Sequence, residues 1–171
     1  GQKVFKHAIV KMPEVVKEAL ARNGLSTRDI KVLIPHQANL RIIDAVGRRI
    51  GIDPSRVFVN VQRYGNMSAA TVPVALVEAL EDDKFDVRWL AANALIEMNV
   101  KALRPLFKAL IEHADSILLR QGAHHVLHDL AKGELRTYLV PVLIDLENLD
   151  SAHLPTEVSY ALESLQKANI L

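Results

Sequence analysis

Two short polar stretches hold the residues best suited to chemistry. They are Ile34-Pro-His36-Gln-Ala-Asn39-Leu-Arg41-Ile42 and Arg63-Tyr-Gly65-Asn66-Met-Ser68-Ala-Ala70. Each follows a short apolar run, so His36 and Asn66 fall at matching points just beyond two candidate strands. In open α/β sheets that is where ligands bind. An imidazole N–H and a carboxamide NH₂ converging on one atom form a donor pair for a developing oxyanion. The same two residues can equally serve as polar groups that stabilise turns. The spacing leaves both readings open.

The residues after His36 carry a second pattern. Arg41, Ala45, Arg48 and Arg49 recur at helical spacing and share one face, while Ile42, Ile43, Val46 and Ile50 take the other. Arg56 and Arg63 add to the positive charge. Such a stripe is either a solvated face or a docking surface for an acidic partner. It lacks interleaved aromatics and any reading motif, so nucleic acid is not expected as a partner. His124 and His128 share a helical face, with His125 and Asp129 near, but only an i, i+4 pair exists. Without a third ligand these predict structural histidines, with neither a metal nor a cofactor.

Parallel α/β units place side chains like His36 and Asn66, and residues 1–80 read as one. Val4–Ala21 has helical spacing, with Pro13 expected to bend or split it. Asn23-Gly24 supplies a stop, and Ser26 a cap for a turn ending at Asp29. Lys31–Pro35 and Val57–Val61 read as buried strands, with a helix from Leu40 to Ile50 between them and another from Ser68 to Ala79. Two strands alone make a poor sheet, so open edges should recruit other chains and favour a homo-oligomer.

After Leu80 the composition changes. Residues 1–80 hold 12 Lys and Arg against 6 Asp and Glu, and residues 81–171 hold 9 against 14. Arg88-Trp-Leu-Ala-Ala-Asn-Ala-Leu95 aligns with Arg120-Gln-Gly-Ala-His-His-Val-Leu127, and a third copy ends at Tyr160-Ala-Leu162. Partner helices at Ala102–Glu112 and Leu135–Leu146 carry Pro105 and Pro141 near their starts. Helix pairs at this period predict an α-solenoid, with Trp89, Phe107 and Tyr138 at core spacing. The expected organisation is therefore α/β over 1–80 followed by all-α over 81–171, joined without a flexible linker.

Composition bounds the chemistry further. The 171 residues are 50% hydrophobic and 24% charged, and include no cysteine. Disulfides, thiolate–metal sites and a cysteine nucleophile are thereby excluded from these residues. No apolar run approaches the roughly 18 residues of a membrane span, and no leader-like stretch opens the sequence. A cytoplasmic protein with no membrane association is expected.

The paired motifs His-Gln-Ala-Asn-x-Arg-Ile and Tyr-Gly-Asn-x-Ser-Ala-Ala closely resemble β-ketoacyl-acyl-carrier-protein synthase III, a thiolase-fold condensing enzyme of fatty acid biosynthesis. Val4-Phe-Lys, Met12-Pro-Glu and Asp29-Ile extend the resemblance over about residues 1–80. It implies that His36 and Asn66 are the His and Asn of a Cys–His–Asn triad that polarises a malonyl thioester. It further implies that Asn39 lines a phosphopantetheine tunnel, and that Arg41, Arg48 and Arg49 dock an acyl carrier protein, with CoA thioesters as further partners. The family's cysteine, its glycine-rich closing strands and its strand before the first helix have no counterpart here, and Met67 stands where the family usually has Thr. Condensation requires an acyl-cysteine, so this acyltransferase segment should not condense alone. Asp86-Val-Arg88-Trp-Leu-Ala-Ala-Asn-Ala-Leu95 similarly resembles short bacterial HEAT-like repeats, over about residues 82–168. That resemblance implies protein partners, and it leaves an alternative function: a non-catalytic interaction module, natural or an engineered chimera.

Overall fold

The computed structural model describes residues 2–148 and 152–171, which divide into two compact units, 1–75 and 76–171. The first unit opens with α1 (Gln2–Arg22), which runs unbroken through Pro13. Proline has no N–H to give the Ile9 carbonyl one turn earlier. The guanidinium of Arg49 supplies the missing donor, at 3.0 Å from the Ile9 oxygen. The expected break at Pro13 is therefore absent.

Against α1 packs α2 (Leu40–Ile50), capped by the Asn39 side chain and stopped by Gly51 in the left-handed region. Ile42, Val46 and Ile50 of α2 and the following Ile52 form the core of this unit. Phe5, Ala8, Met12 and Val16 of α1 cover it, together with Ile30, Leu33 and Val57. The expected helical faces of α2 are both present. Its isoleucines are buried, and Arg41, Arg48 and Arg49 are exposed.

The α/β architecture expected for this unit does not form. Among the described residues the pairing of Lys31–Pro35 with Val57–Val61 reduces to one isolated parallel bridge, Leu33 to Val57. Leu33 N–H donates to the Arg56 carbonyl at 2.8 Å, and Phe58 N–H to the Leu33 carbonyl at 2.9 Å. There the ladder ends. Pro35 has no donor with which to continue it, and at Val61 the second segment turns into the short helix α3 (Val61–Tyr64). The chain is helical, with extended segments where a sheet was expected. An oligomer built on open sheet edges loses its basis, because no sheet is present among the described residues to offer one.

Past a short 3₁₀ turn at Ser68–Ala70 runs α4 (Thr71–Glu78), followed by a second 3₁₀ turn at Ala79–Glu81. The second unit continues with α5 (Phe85–Met98), α6 (Val100–Glu112), α7 (Ile117–Leu130), α8 (Arg136–Glu147) and α9 (Leu154–Lys167). Its packing order is not that of an open solenoid, in which α9 would stack on α7 as α7 does on α5. Here α7 packs on α8, α8 on α9, α9 on α6 and α6 on α7, a closed ring of four helices with α5 against α7. Each of the four thereby buries two sides, and Leu103, Leu106, Phe107, Leu110, Leu119, Leu127, Leu139, Leu154 and Leu165 are fully enclosed. Pro105 and Pro141 lie inside α6 and α8, further in than expected. Trp89 is not a core residue. It is 47% exposed and stacks on His125, with ring centroids 4.6 Å apart.

Candidate functional site

The site is positioned by the two extended segments, and a side chain overlooked in the sequence holds those together. Gln37 is completely buried. Its amide nitrogen donates to the carbonyls of Pro35 at 2.9 Å and Phe58 at 3.2 Å, and its amide oxygen accepts the Asn60 N–H at 2.9 Å. One side chain thus stands in for several rungs of a ladder. Leaving such buried backbone groups unpaired would cost about 1–3 kcal/mol each. The neighbouring residue, His36, is held half-buried at the end of the clamped segment.

The imidazole of His36 meets the second motif through Thr71, whose hydroxyl lies 2.6 Å from Nδ1. The same hydroxyl donates to the carbonyl of Ser68 at 2.9 Å, and the Ser68 N–H donates to Oδ1 of Asn66 at 3.1 Å. His36 and Asn66, 30 residues apart in sequence, are therefore linked by hydrogen bonds through the Thr71 hydroxyl and the backbone of Ser68. Ser68 sits at its centre with φ of 55°, a left-handed conformation that costs a non-glycine residue about 1 kcal/mol or more. The bonds made by its N–H and by its carbonyl, on either side of the α-carbon, offset that strain. Oδ1 accepts the Ser68 N–H, and the NH₂ group of the Asn66 amide is its donor, on an exposed residue.

Asn39 does something different. Its side-chain oxygen accepts the Ile42 N–H at 3.0 Å as the cap of α2. Asn39, Leu40 and Arg41 line one wall of an open recess of about 940 Å³, and Gln2, Phe5 and Lys6 of α1 line the other. Arg41 lies over the Phe5 ring, its guanidinium carbon 5.6 Å from the centroid. Of the three arginines assigned to docking, Arg41 and Arg48 face solvent as expected. Arg49 is exposed too, but its guanidinium is engaged with the Ile9 carbonyl. Arg56, counted in the same basic patch, donates to the Ile30 carbonyl at 2.7 Å.

Among its described residues the second unit adds no comparable constellation. His124 reaches Glu147 at 3.2 Å and stacks on His128, with 6.0 Å between centroids. Among the described residues no three His, Asp or Glu side chains gather as metal ligands would. No helix among them is long and apolar enough to cross a membrane.

Comparison with known proteins bears on the first of these regions. Residues 20–91 match the family described as 3-oxoacyl-(acyl-carrier-protein) synthase III C terminal. That stretch is similar to the C-terminal part of a synthase III. It contains His36, Asn39, Asn66 and Thr71, and extends past the boundary between the two units. Beta-ketoacyl-acyl-carrier-protein synthase III of Oleidesulfovibrio alaskensis is 56% identical over 79 residues, 46% of this chain and 24% of the relative. The synthase III of Rhodospirillum centenum is 55% identical over 84 residues, 49% of this chain and 26% of the relative. That of Roseiflexus castenholzii is 52% identical over 84 residues, with the same shares. The chain therefore spans about a quarter of the length of the curated relatives it matches. The synthase III resemblance is borne out at this level, whereas the ring packing of the second unit runs against the HEAT-like one.

Proposed function

We propose that residues 1–80 are the part of a β-ketoacyl-acyl-carrier-protein synthase III that contributes the His and Asn of the condensing triad, and that the helices after it belong to a separate helical domain whose packing begins at Leu76. The observation that carries this reading is the hydrogen-bonded chain from His36 to Asn66 inside the matched segment. In this reading His36 and Asn66 polarise the carbonyl of a malonyl thioester, stabilising the charge that develops on its oxygen as CO₂ leaves. Asn39 and the recess beside it accept the pantetheine arm of a carrier protein or CoA. Arg41 and Arg48 meet the acidic carrier surface. The nucleophilic cysteine has to come from elsewhere, since these 171 residues have none.

A hybrid enzyme tests the reading. Residues 20–91 would replace the matching stretch of the Oleidesulfovibrio alaskensis synthase, and CO₂ release would be followed with acetyl-CoA and malonyl carrier protein. The hybrid should condense, and His36→Ala or Asn66→Ala within it should lower kcat roughly 10²–10⁴-fold. Its apparent affinity for the carrier should fall with added salt, because screening confines exposed charges to about 8 Å near physiological ionic strength. Arg41→Glu with Arg48→Glu should remove that dependence. The 171-residue chain itself should release no CO₂ above background. A hybrid that folds and condenses equally well without His36 and Asn66 would end the catalytic assignment.

The alternative function, a non-catalytic interaction module, draws on the second unit. There α5 exposes Phe85 at 64% and both Trp89 and Leu90 at 47%. A hybrid that folds but never condenses would favour it.

A further inference from the structure

The geometry around Thr71 points to a property of His36 that its motif does not reveal, and we propose that Thr71 is a positioning residue holding neutral His36 as the Nδ1–H tautomer. The argument is one of donor and acceptor supply. The Thr71 side chain is completely buried, with one proton to give and lone pairs to receive. It has two polar neighbours, Nδ1 of His36 at 2.6 Å and the Ser68 carbonyl at 2.9 Å. A carbonyl oxygen can only accept, so a hydrogen bond there consumes the hydroxyl proton. The contact with Nδ1 is then a hydrogen bond only if the imidazole donates. Turning the hydroxyl toward Nδ1 instead would set two oxygen lone pairs against each other at 2.9 Å.

Both contacts are satisfied together in one arrangement, with the proton on Nδ1 and Nε2 bare. The backbone supports the same choice. Thr71 N–H also donates to the Ser68 carbonyl, which fixes that oxygen beside the hydroxyl. Ser68 cannot swing away without giving up the Asn66 bond to its N–H.

The consequence is a site with two unlike ends. Neutral His36 presents an acceptor at Nε2, while Asn66 presents its NH₂ donor. A pair of donors, as an oxyanion would need, exists only when His36 carries a second proton. That catalytic consequence rests on the proposed function. The tautomer itself does not, because it follows from contacts within the chain.

Long-range ¹H–¹⁵N correlation spectra of the imidazole rings in the ¹⁵N-labelled 171-residue chain read the tautomer directly. At a pH where His36 is neutral, its Nδ1 should show the shift of a protonated nitrogen and Nε2 that of a bare one. Thr71→Val, which removes the acceptor and keeps the shape, should abolish that pattern, and Thr71→Ser should restore it. A wild-type spectrum with the proton on Nε2 overturns the proposal, as does a Thr71→Val spectrum identical to wild type. The wild-type measurement decides by itself if the valine variant fails to fold. Loss of condensation in the hybrid with the tautomer intact would fault the proposed function and leave this inference standing.

Discussion

Arg49 shows how a surface charge can acquire an internal duty. Its position in the basic stripe suggests a docking residue, yet its guanidinium replaces the hydrogen bond that Pro13 denies to the Ile9 carbonyl. The two residues should therefore be thermodynamically coupled. Arg49→Met is expected to destabilise the first unit by about 1 kcal/mol, the ordinary net value of such a bond. In a Pro13→Ala background, where the backbone N–H returns, the same change should cost little. A double-mutant cycle from urea titrations measures the difference. Equal costs in both backgrounds would return Arg49 to the solvated face. The coupling also makes Arg49→Glu a poor probe of carrier binding, since it disturbs α1 as well as the surface.

At the scale of elements, capping chemistry is legible and sheet formation is not. The helix from Leu40 to Ile50 can be placed from its apolar period, its polar start and its glycine stop, and α2 has those bounds. The turn from Ser26 to Asp29 likewise follows from residue type. Ser26 donates to the Asp29 carboxylate through its N–H at 2.8 Å and its hydroxyl at 2.7 Å. Asp53 accepts the corresponding pair from Ser55. These bonds hold both carboxyls below their usual 3.8, the side-chain bond from the serine being the larger cause in each case. A lowered folded-state value means that the contribution to stability is complete above the unfolded-state value and fades as pH falls through the folded one. The stability lost in Asp29→Ala and Asp53→Ala, followed by urea midpoints, should thus shrink steadily as pH is taken below 3.8. A loss unchanged down to full protonation would show that the serine bonds contribute nothing.

Lys31–Pro35 and Val57–Val61 have the composition of strands without the pairing, because a β-branched run reports burial and not partners. Val57 and Leu33 are partly buried around the α2 core, which their composition implies, but among the described residues they meet in a single isolated bridge. The roles of Gln37 and Thr71 are not legible in the sequence for a related reason. Buried polar residues acquire their meaning from backbone groups distant in sequence, and periodicity records none of those partners. His36 and Asn66 were recognisable as a pair from their motifs. The two residues linking them, Ser68 and Thr71, were visible only as the start of a helix.

On the scale of the molecule, the closed ring of α6–α9 follows from contacts that repeat spacing does not specify. Similar helices at an interval of about 32 residues fit either a stack or a ring, and the choice lies in where α9 docks. The change of composition near Leu80 also marks the structural division only approximately. Leu76, Val77, Ala79 and Leu80 are buried, and all four belong to the second unit although they lie within the synthase-like stretch. Leu80 is the deepest of them. It lies against Gly122 of α7, where an added Cβ would come within 3.0 Å of its side chain.

That contact dictates where the chain can be cut. A severed helical half beginning at residue 81 leaves an empty socket over Gly122, while one beginning at residue 76 keeps its stopper. Removal of a buried leucine costs about 2–5 kcal/mol, so the longer fragment should withstand distinctly more urea than the shorter. Equal midpoints for the two would mean that the socket closes over unaided. If the stopper is needed, five residues inherited with one half of the chain are indispensable to the other. Natural recombination or the bench scientist's scissors can then part the halves cleanly only on the near side of Leu76.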